Sequence, residues 1–177
     1  MGVSQCFAVY NTLLNKKYVL TLEGNIKIEL FFSKKNLKHL LGLHKLTDIE
    51  LVSKRSGAVV YQLIKNETIN DALLQSSIQY NKIAERILYF YLIPILLNSK
   101  IIIDFDPQKI PDAYVSKLKK TDYILYKYID GNTIAHLTLS AAGFQKYYPE
   151  TFFVEHSKMY LSDQKLLDVL RVDIIEM

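Results

Sequence analysis

His39, His44 and Lys45 are the first residues in the chain whose types and spacing suggest chemistry. They lie within Leu37-Lys38-His39-Leu40-Leu41-Gly42-Leu43-His44-Lys45. Imidazole ordinarily titrates near neutrality, so it takes up and returns protons at physiological pH. An ammonium beside it supplies fixed positive charge for an anionic reaction centre. Gly42 allows a sharp turn after a helix, and a histidine just past that end is held by backbone. The alternative is a helix C-terminus whose carbonyl groups attract basic residues. Spacing alone leaves both open.

The same neighbourhood is basic. Residues 34–55 carry Lys34, Lys35, Lys38, Lys45, Lys54 and Arg55 against Asp48 and Glu50, a surplus equal to the +4 formal charge of the whole 177-residue chain. On a helix Lys34 and Lys38, and Lys35 and His39, each share a side, with Leu37, Leu40 and Leu41 turned inward. This is either a solvated helix face or a surface for phosphates.

A second polar group falls late in the chain. In a strand over 133–140, Ile134, His136, Thr138 and Ser140 share one face. Lys127, on the partner strand, joins that face across a two-residue turn and opposes it across a three-residue turn. The face is either a site or the solvent side of a sheet. Thr151, Glu155, His156 and Tyr160 add polar groups near the end.

Other chemistries lack their motifs. The chain has no Gly-rich phosphate loop, no GxSxG elbow and no Cys/His spacing suited to a metal. His39 and His44 are five apart, without the glutamate of a zinc-protease helix. Cys6 reads as a small buried residue. The expectation is side-chain chemistry with no metal and no cofactor.

The elements that must position these residues follow from patterning. Val3–Leu14 reads as a helix, and Tyr18–Leu22 with Ile26–Phe32 as a hairpin around Gly24-Asn25. Ser33 caps a helix that runs to Leu41 and stops at Gly42. Thr68 and Asp71 resemble a capping box. Tyr80, Ile83, Ala84, Ile87, Leu88, Tyr91 and Ile95 follow one helix face, with Pro94 resetting the last turn. Ile101–Ile103 reads as a strand ended by Asp106-Pro107. Asp122–Ile129 and Thr133–Ser140 form a hairpin around Asp130-Gly131-Asn132, and Thr151–His156 is a further strand. Leu166–Ile175 fits strand or helix. Helices in the middle and strands toward the end predict an α+β domain, an antiparallel sheet with helices packed on one face.

Composition agrees with a folded chain: 50% of residues are apolar and 23% charged, which excludes a disordered tail, a collagen or a coiled coil. The length fits one domain over 1–177, with an N-terminal helix in 1–17 and a core in 18–177. The longest apolar run, Ile87–Leu97, contains Pro94 and falls short of the roughly 20 residues of a membrane span. With no secretory signal and one cysteine, the chain is expected to be cytoplasmic, with no membrane partner. The oligomeric state is not legible.

The segment Phe31-Phe32-Ser33-Lys34-Lys35-Asn36-Leu37-Lys38-His39-Leu40-Leu41-Gly42-Leu43-His44-Lys45-Leu46 resembles the fourth phage-associated subgroup of the Barnase–EndoU–colicin–RelE-like nucleases. There, a strand ending in Phe leads into a helix with a His-Leu-x-Gly-Leu-His-Lys-Leu pattern. Tyr148-Pro149-Glu150-Thr151-Phe152-Phe153, followed by Tyr160 and Gln164, is similar to that group's C-terminal pattern. Thr151 stands where serine is expected at least as often, and the hydroxyl is kept. The resemblance spans about Tyr18 to the end. It implies a small α+β RNase fold, helices on one face of an antiparallel sheet, metal-independent RNA cleavage and a toxin-like, mobile-element setting. On that basis His44 is expected as base or acid and Lys45 as phosphate stabiliser. His39 would be the second proton carrier or an orienting group, with His136 in reserve. Thr151 and Tyr160 would bond phosphate oxygens, and Lys34, Lys35, Lys38 and Lys127 would hold RNA. The competing expectation is a non-catalytic protein on the same fold that blocks a host or rival protein; an antitoxin is a further possible partner.

Overall fold

A computed structural model describes residues 1–110 and 118–177. The first helix, α1 (Val3–Asn11), buries Val3, Cys6 and Tyr10 at helical spacing. The Val3 N–H donates to the Asp71 carboxylate at 2.7 Å, and the Tyr10 hydroxyl to the Ser33 carbonyl at 2.6 Å. Strands β1 (Lys16–Leu22) and β2 (Lys27–Phe31) form the expected hairpin. Gly24 and Asn25 take left-handed φ values of 73° and 62° at its turn. Tyr18, Leu20, Leu22, Ile28 and Leu30 are buried on one face of this pair.

At Ser33 the chain leaves the sheet. The Ser33 N–H and hydroxyl both donate to Asn36 Oδ1, at 2.9 and 2.6 Å. A 3₁₀ turn (Lys34–Asn36) then leads into α2 (Leu37–Leu40), and Gly42, at φ 72°, ends it as expected. Next come α3 (Glu50–Ser53), α4 (Gly57–Lys65) and α5 (Asp71–Gln75). The cap of α5 is Asn70, whose Oδ1 accepts the Leu73 N–H at 3.0 Å, rather than Thr68.

The stretch from Tyr80 to Ile95 is not one helix. It breaks into a 3₁₀ turn (Tyr80–Lys82), α6 (Ala84–Leu88), a second 3₁₀ turn (Phe90–Leu92) and α7 (Ile93–Leu96), with Pro94 at the start of α7. Pro94 has no N–H to continue the ladder, and each break rotates the buried side. The buried stripe is Ile83, Ile87, Phe90, Ile93 and Leu97, while Leu88, Tyr91 and Ile95 are exposed.

The remaining strands are β3 (Ile101–Asp104), β4 (Tyr123–Tyr128), β5 (Ile134–Gly143), β6 (Lys146–Glu155) and β7 (Lys165–Glu176). They correct the expected architecture. In place of an antiparallel sheet with helices on one face, the strands form a closed, mixed barrel in the order β1-β2-β6-β5-β4-β3-β7. Two links that no local pattern encodes make the ring. Residues 165–168 of β7 pair with β3 and residues 169–176 with β1, joining the two ends of the chain. β2 pairs with β6 in parallel, at Glu29↔Lys146 and Leu30↔Tyr147 only.

Closure removes sheet edges, except along the part of β6 beyond that short seam. There, α2 and α6 pack along the strand. The helices and one strand face share a single apolar cluster that runs from Val3 and Leu20 to Phe90, Leu137 and Phe152. A smaller cluster, with Ile103, Phe105, Ile124 and Tyr160, covers the other strand face. Residues 134–140 of β5 are therefore all buried, and the face carrying His136 is not a solvent side.

Candidate functional site

A cleft of about 990 Å³ opens along β6 where β2 has left it. α2 contributes His39; the 3₁₀ turn Leu43–Lys45 contributes His44 and Lys45. Glu85 and Arg86 come from α6, Glu150, Thr151, Phe153 and Glu155 from β6, and Met159 and Tyr160 from the β6–β7 connection. The αL residue Gly42 reverses the chain between the two histidines, so their rings lie 5.0 Å apart, tilted by 40°. The loop that follows is fastened across the cleft floor. Asp48 accepts the Ser77 hydroxyl at 2.6 Å and the Ile78 N–H at 3.0 Å, and Gln79 Nε2 donates to Thr47 Oγ1 at 2.7 Å.

Arg86 joins the two halves. Only 8% exposed, it donates from Nη1 to Thr151 Oγ1 at 2.9 Å and to the His39 carbonyl at 3.4 Å. Burial lowers its pKa to about 10, still far above neutrality, so the guanidinium stays charged. Its tight fit explains the residue opposite: a Cβ on Gly42 would stand 2.8 Å from Arg86 Cδ.

This cationic ground depresses both imidazoles. Partial desolvation of a ring that is still exposed at the cleft, then the charges of His39, Arg86, Lys45 and Lys38, bring His44 down to about 4. His39 is lowered by burial and by Lys38 and Arg86, but Glu150 pulls it the other way. Glu150 is itself fixed by the Ser140 hydroxyl at 2.6 Å and the Thr121 hydroxyl at 3.1 Å, both on Oε2.

Six residues singled out from sequence thus line one cleft: His39, His44, Lys45, Thr151, Glu155 and Tyr160. The others lie elsewhere. Lys38 is buried, its ammonium donating to the carbonyls of Ser53 at 2.8 Å and Arg55 at 2.6 Å. Lys34 sits over the Tyr61 ring at 5.6 Å and Lys35 is exposed. Neither lines the cleft. Lys127 pairs with Ala135, the register of a three-residue turn, so it faces away from His136. It borders a separate shallow depression with Lys100 and Tyr128.

His136 is fully buried behind the cleft wall. Its ring stacks on Phe153 at 4.8 Å and 19°, and its Nε2 lies 3.2 Å from Glu155 Oε2. That contact falls short of hydrogen-bond geometry, and neither ring nitrogen has a hydrogen-bond partner among the described residues. Burial lowers the His136 pKa, against the pull of Glu155.

Sequence reasoning passed over Arg86, Glu85 and Glu150. The signal for Arg86 was a charged pair, Glu85-Arg86, at the head of a long apolar run. Among the described residues no group of three His, Cys, Asp or Glu side chains converges to hold a metal ion, and no helix is long and apolar enough to cross a membrane.

No curated protein and no solved structure matches the chain. One family model does, over residues 3–170: that of the phage-Barnase-EndoU-ColicinE5/D-RelE like nuclease4. The match takes in α1, the whole helical stretch and β1 to the middle of β7, and so every wall of the cleft. A histidine-bearing cleft and nearly the full length of the chain thus fall under one description, and the chain belongs to this phage-associated family of nuclease domains.

Proposed function

We propose that the protein is an endoribonuclease that cleaves RNA by attack of the ribose 2′-OH on the adjacent phosphorus, using side chains alone. The observation that carries this reading is the convergence of His39, His44, Lys45, Arg86 and Thr151 on one cleft. A protein that merely binds a partner has no need to set two imidazoles 5.0 Å apart beside a buried arginine.

Each group has a part. His44, depressed to about 4, is neutral at pH 7, the state in which an imidazole accepts a proton, here from the 2′-OH. The freed oxygen bonds to phosphorus as the bond to the 5′ oxygen breaks. His39 returns a proton to that leaving oxygen. It suits the acid role better because Glu150 favours its charged form. Arg86 and Lys45 stabilise the charge that builds on the phosphoryl oxygens. Thr151 accepts from Arg86, which leaves its hydroxyl proton to donate to a phosphate oxygen. The products are a 2′,3′-cyclic phosphate and a 5′-OH.

The test is incubation of the protein with total RNA in EDTA, beside His44→Ala. Loss of a proton-transfer group should slow cleavage by roughly 10²–10⁴-fold. Equal rates would remove His44 from the mechanism, and no cleavage of a broad set of RNAs by the unmodified protein would overturn the reading.

A further inference from the structure

The helical stretch that walls the cleft has an outer face left open to solvent. Glu85, Leu88, Tyr91, Ile95 and Asn98 are exposed in turn, three or four residues apart, so they form one stripe along α6, the second 3₁₀ turn and α7. One end belongs to the cleft, through Glu85. At the other end, Ile95 and Asn98 open into the shallow depression, of about 340 Å³, that Lys100, Ile101 and Tyr128 also line. Leu88, Tyr91, Ile95, Ile101 and Tyr128 are each 37–48% exposed. Apolar side chains scattered singly over a surface need no explanation, but a contiguous row of them marks an interaction site.

The charges at the depression end are of one sign. Lys100 and Lys127 border it, the Lys158 ammonium stands 5.8 Å from the centre of the Tyr128 ring, and no described residue that lines it is acidic. None of these three lysines pairs with a carboxylate among the described residues. Glu85, at the far end of the stripe, is already engaged with His156 at 2.8 Å. Such a face fits an apolar partner that carries carboxylates at its margin. Single-stranded RNA fits it poorly, since RNA needs cations along its backbone as well as rings to stack on. Between Glu85 and Asn98 the one cation is Arg86, which is buried and turned into the cleft. Leu88 and Ile95 give a base no ring at all.

We propose that this face docks an acidic amphipathic helix of a partner protein. Apolar residues of that helix, at i, i+3 or i+4 and i+7, lie against Leu88, Tyr91 and Ile95, and its carboxylates reach the lysines around the depression. The partner then stands beside the cleft mouth, because Glu85 is common to stripe and cleft. No group given a part in RNA cleavage belongs to this face, so the docking stands or falls apart from the ribonuclease reading.

The test is selection from a phage-displayed library of helical peptides against the full chain, then calorimetry with the selected peptide made synthetically. The expected consensus sets apolar residues at helical spacing beside Asp or Glu. Ile95→Asp should weaken that peptide about tenfold or more, as loss of a central apolar contact does. Lys100→Glu with Lys127→Glu should weaken it too, and so should added salt. These side chains are at the surface, so the melting temperature should hold, and Ile95→Asp should cleave RNA as the unmodified protein does. Failure to enrich acidic peptides, or equal binding to Ile95→Asp, overturns the docking site. Two further outcomes also overturn it: oligouridine binding that Ile95→Asp abolishes and His44→Ala keeps assigns the face to RNA. A concentration-dependent dimer in sedimentation that Ile95→Asp abolishes assigns it to a second copy of the chain.

Discussion

At the residue level the cleft is charged against its own histidines. His44 carries a proton reluctantly because partial desolvation and four cationic neighbours oppose it, and an arriving phosphate relieves the second cause. The His44 ring should therefore titrate at about 4 in the empty protein and at a higher pH with a bound 3′-nucleotide, followed by NMR of the imidazole carbons. Arg86→Met should raise it in the same direction without ligand. The sign carries over to stability. Between 6.5, the ordinary value, and about 4, the unfolded chain holds a proton on His44 that the folded chain does not. Stability thus falls as pH drops through that window and loses nothing more below it. His39 and His136, both lowered, act in the same sense. His44→Gln should flatten the decline in denaturant midpoint between pH 7 and pH 4.5. His44 and Lys45 were legible in the sequence because a helix, a glycine and a turn place them within seven residues of His39. Arg86 was not, since its hydrogen-bond partners stand 47 and 65 positions away.

At the level of elements, the site depends on short pieces held by polar fastenings rather than on long helices. α2 has four residues, too few to be stable by propensity. The buried Lys38 ammonium ties it to the end of α3, so the basic segment that reads as a phosphate surface is partly internal scaffolding. Charge counting could not separate the two, because burial depends on what packs against the helix. The turn glycines give a sharper test. Gly42 and Gly24 have nearly the same φ, 72° and 73°, so alanine at either costs about 1–2 kcal/mol in backbone strain. Their surroundings differ: the new methyl group meets Arg86 at 2.8 Å in the first case and nothing within 4 Å in the second. Gly24→Ala should lower the unfolding midpoint and leave RNA cleavage intact. Gly42→Ala should lower both, because Arg86 must move away from Thr151. Equal cleavage by the two variants would separate Arg86 from the chemistry.

Across the whole molecule, the turns were legible and the ring was not. Gly24-Asn25 and Asp130-Gly131-Asn132 announce hairpins through local backbone preference, and both hairpins form. The pairings of β7 with β1 and of β2 with β6 join segments more than a hundred residues apart, and no turn residue encodes them. The β2–β6 seam matters most for function. It is two residue pairs long, and the cleft begins where it ends. Strand partners stand close enough for a disulfide, whose Cα atoms need about 4.4–6.8 Å. Glu29→Cys with Lys146→Cys should therefore cross-link under mild oxidation, seen as a mobility shift on a non-reducing gel, with Cys6 buried and out of reach. The bond closes a loop of more than a hundred residues and should raise the unfolding midpoint, by up to about 4–5 kcal/mol if native geometry is kept. Val19→Cys with Asp173→Cys, across the longer β1–β7 ladder, is the control for strand pairing as such. If the control links and the seam does not, the barrel is open beside its own cleft, and α2 and α6 alone hold the histidines against β6. If both link and RNA cleavage survives, the closed ring is the working form of the nuclease domain, because the cross-link fixes β2 at Glu29, shortly before the chain leaves the sheet at Ser33 toward His39 and His44.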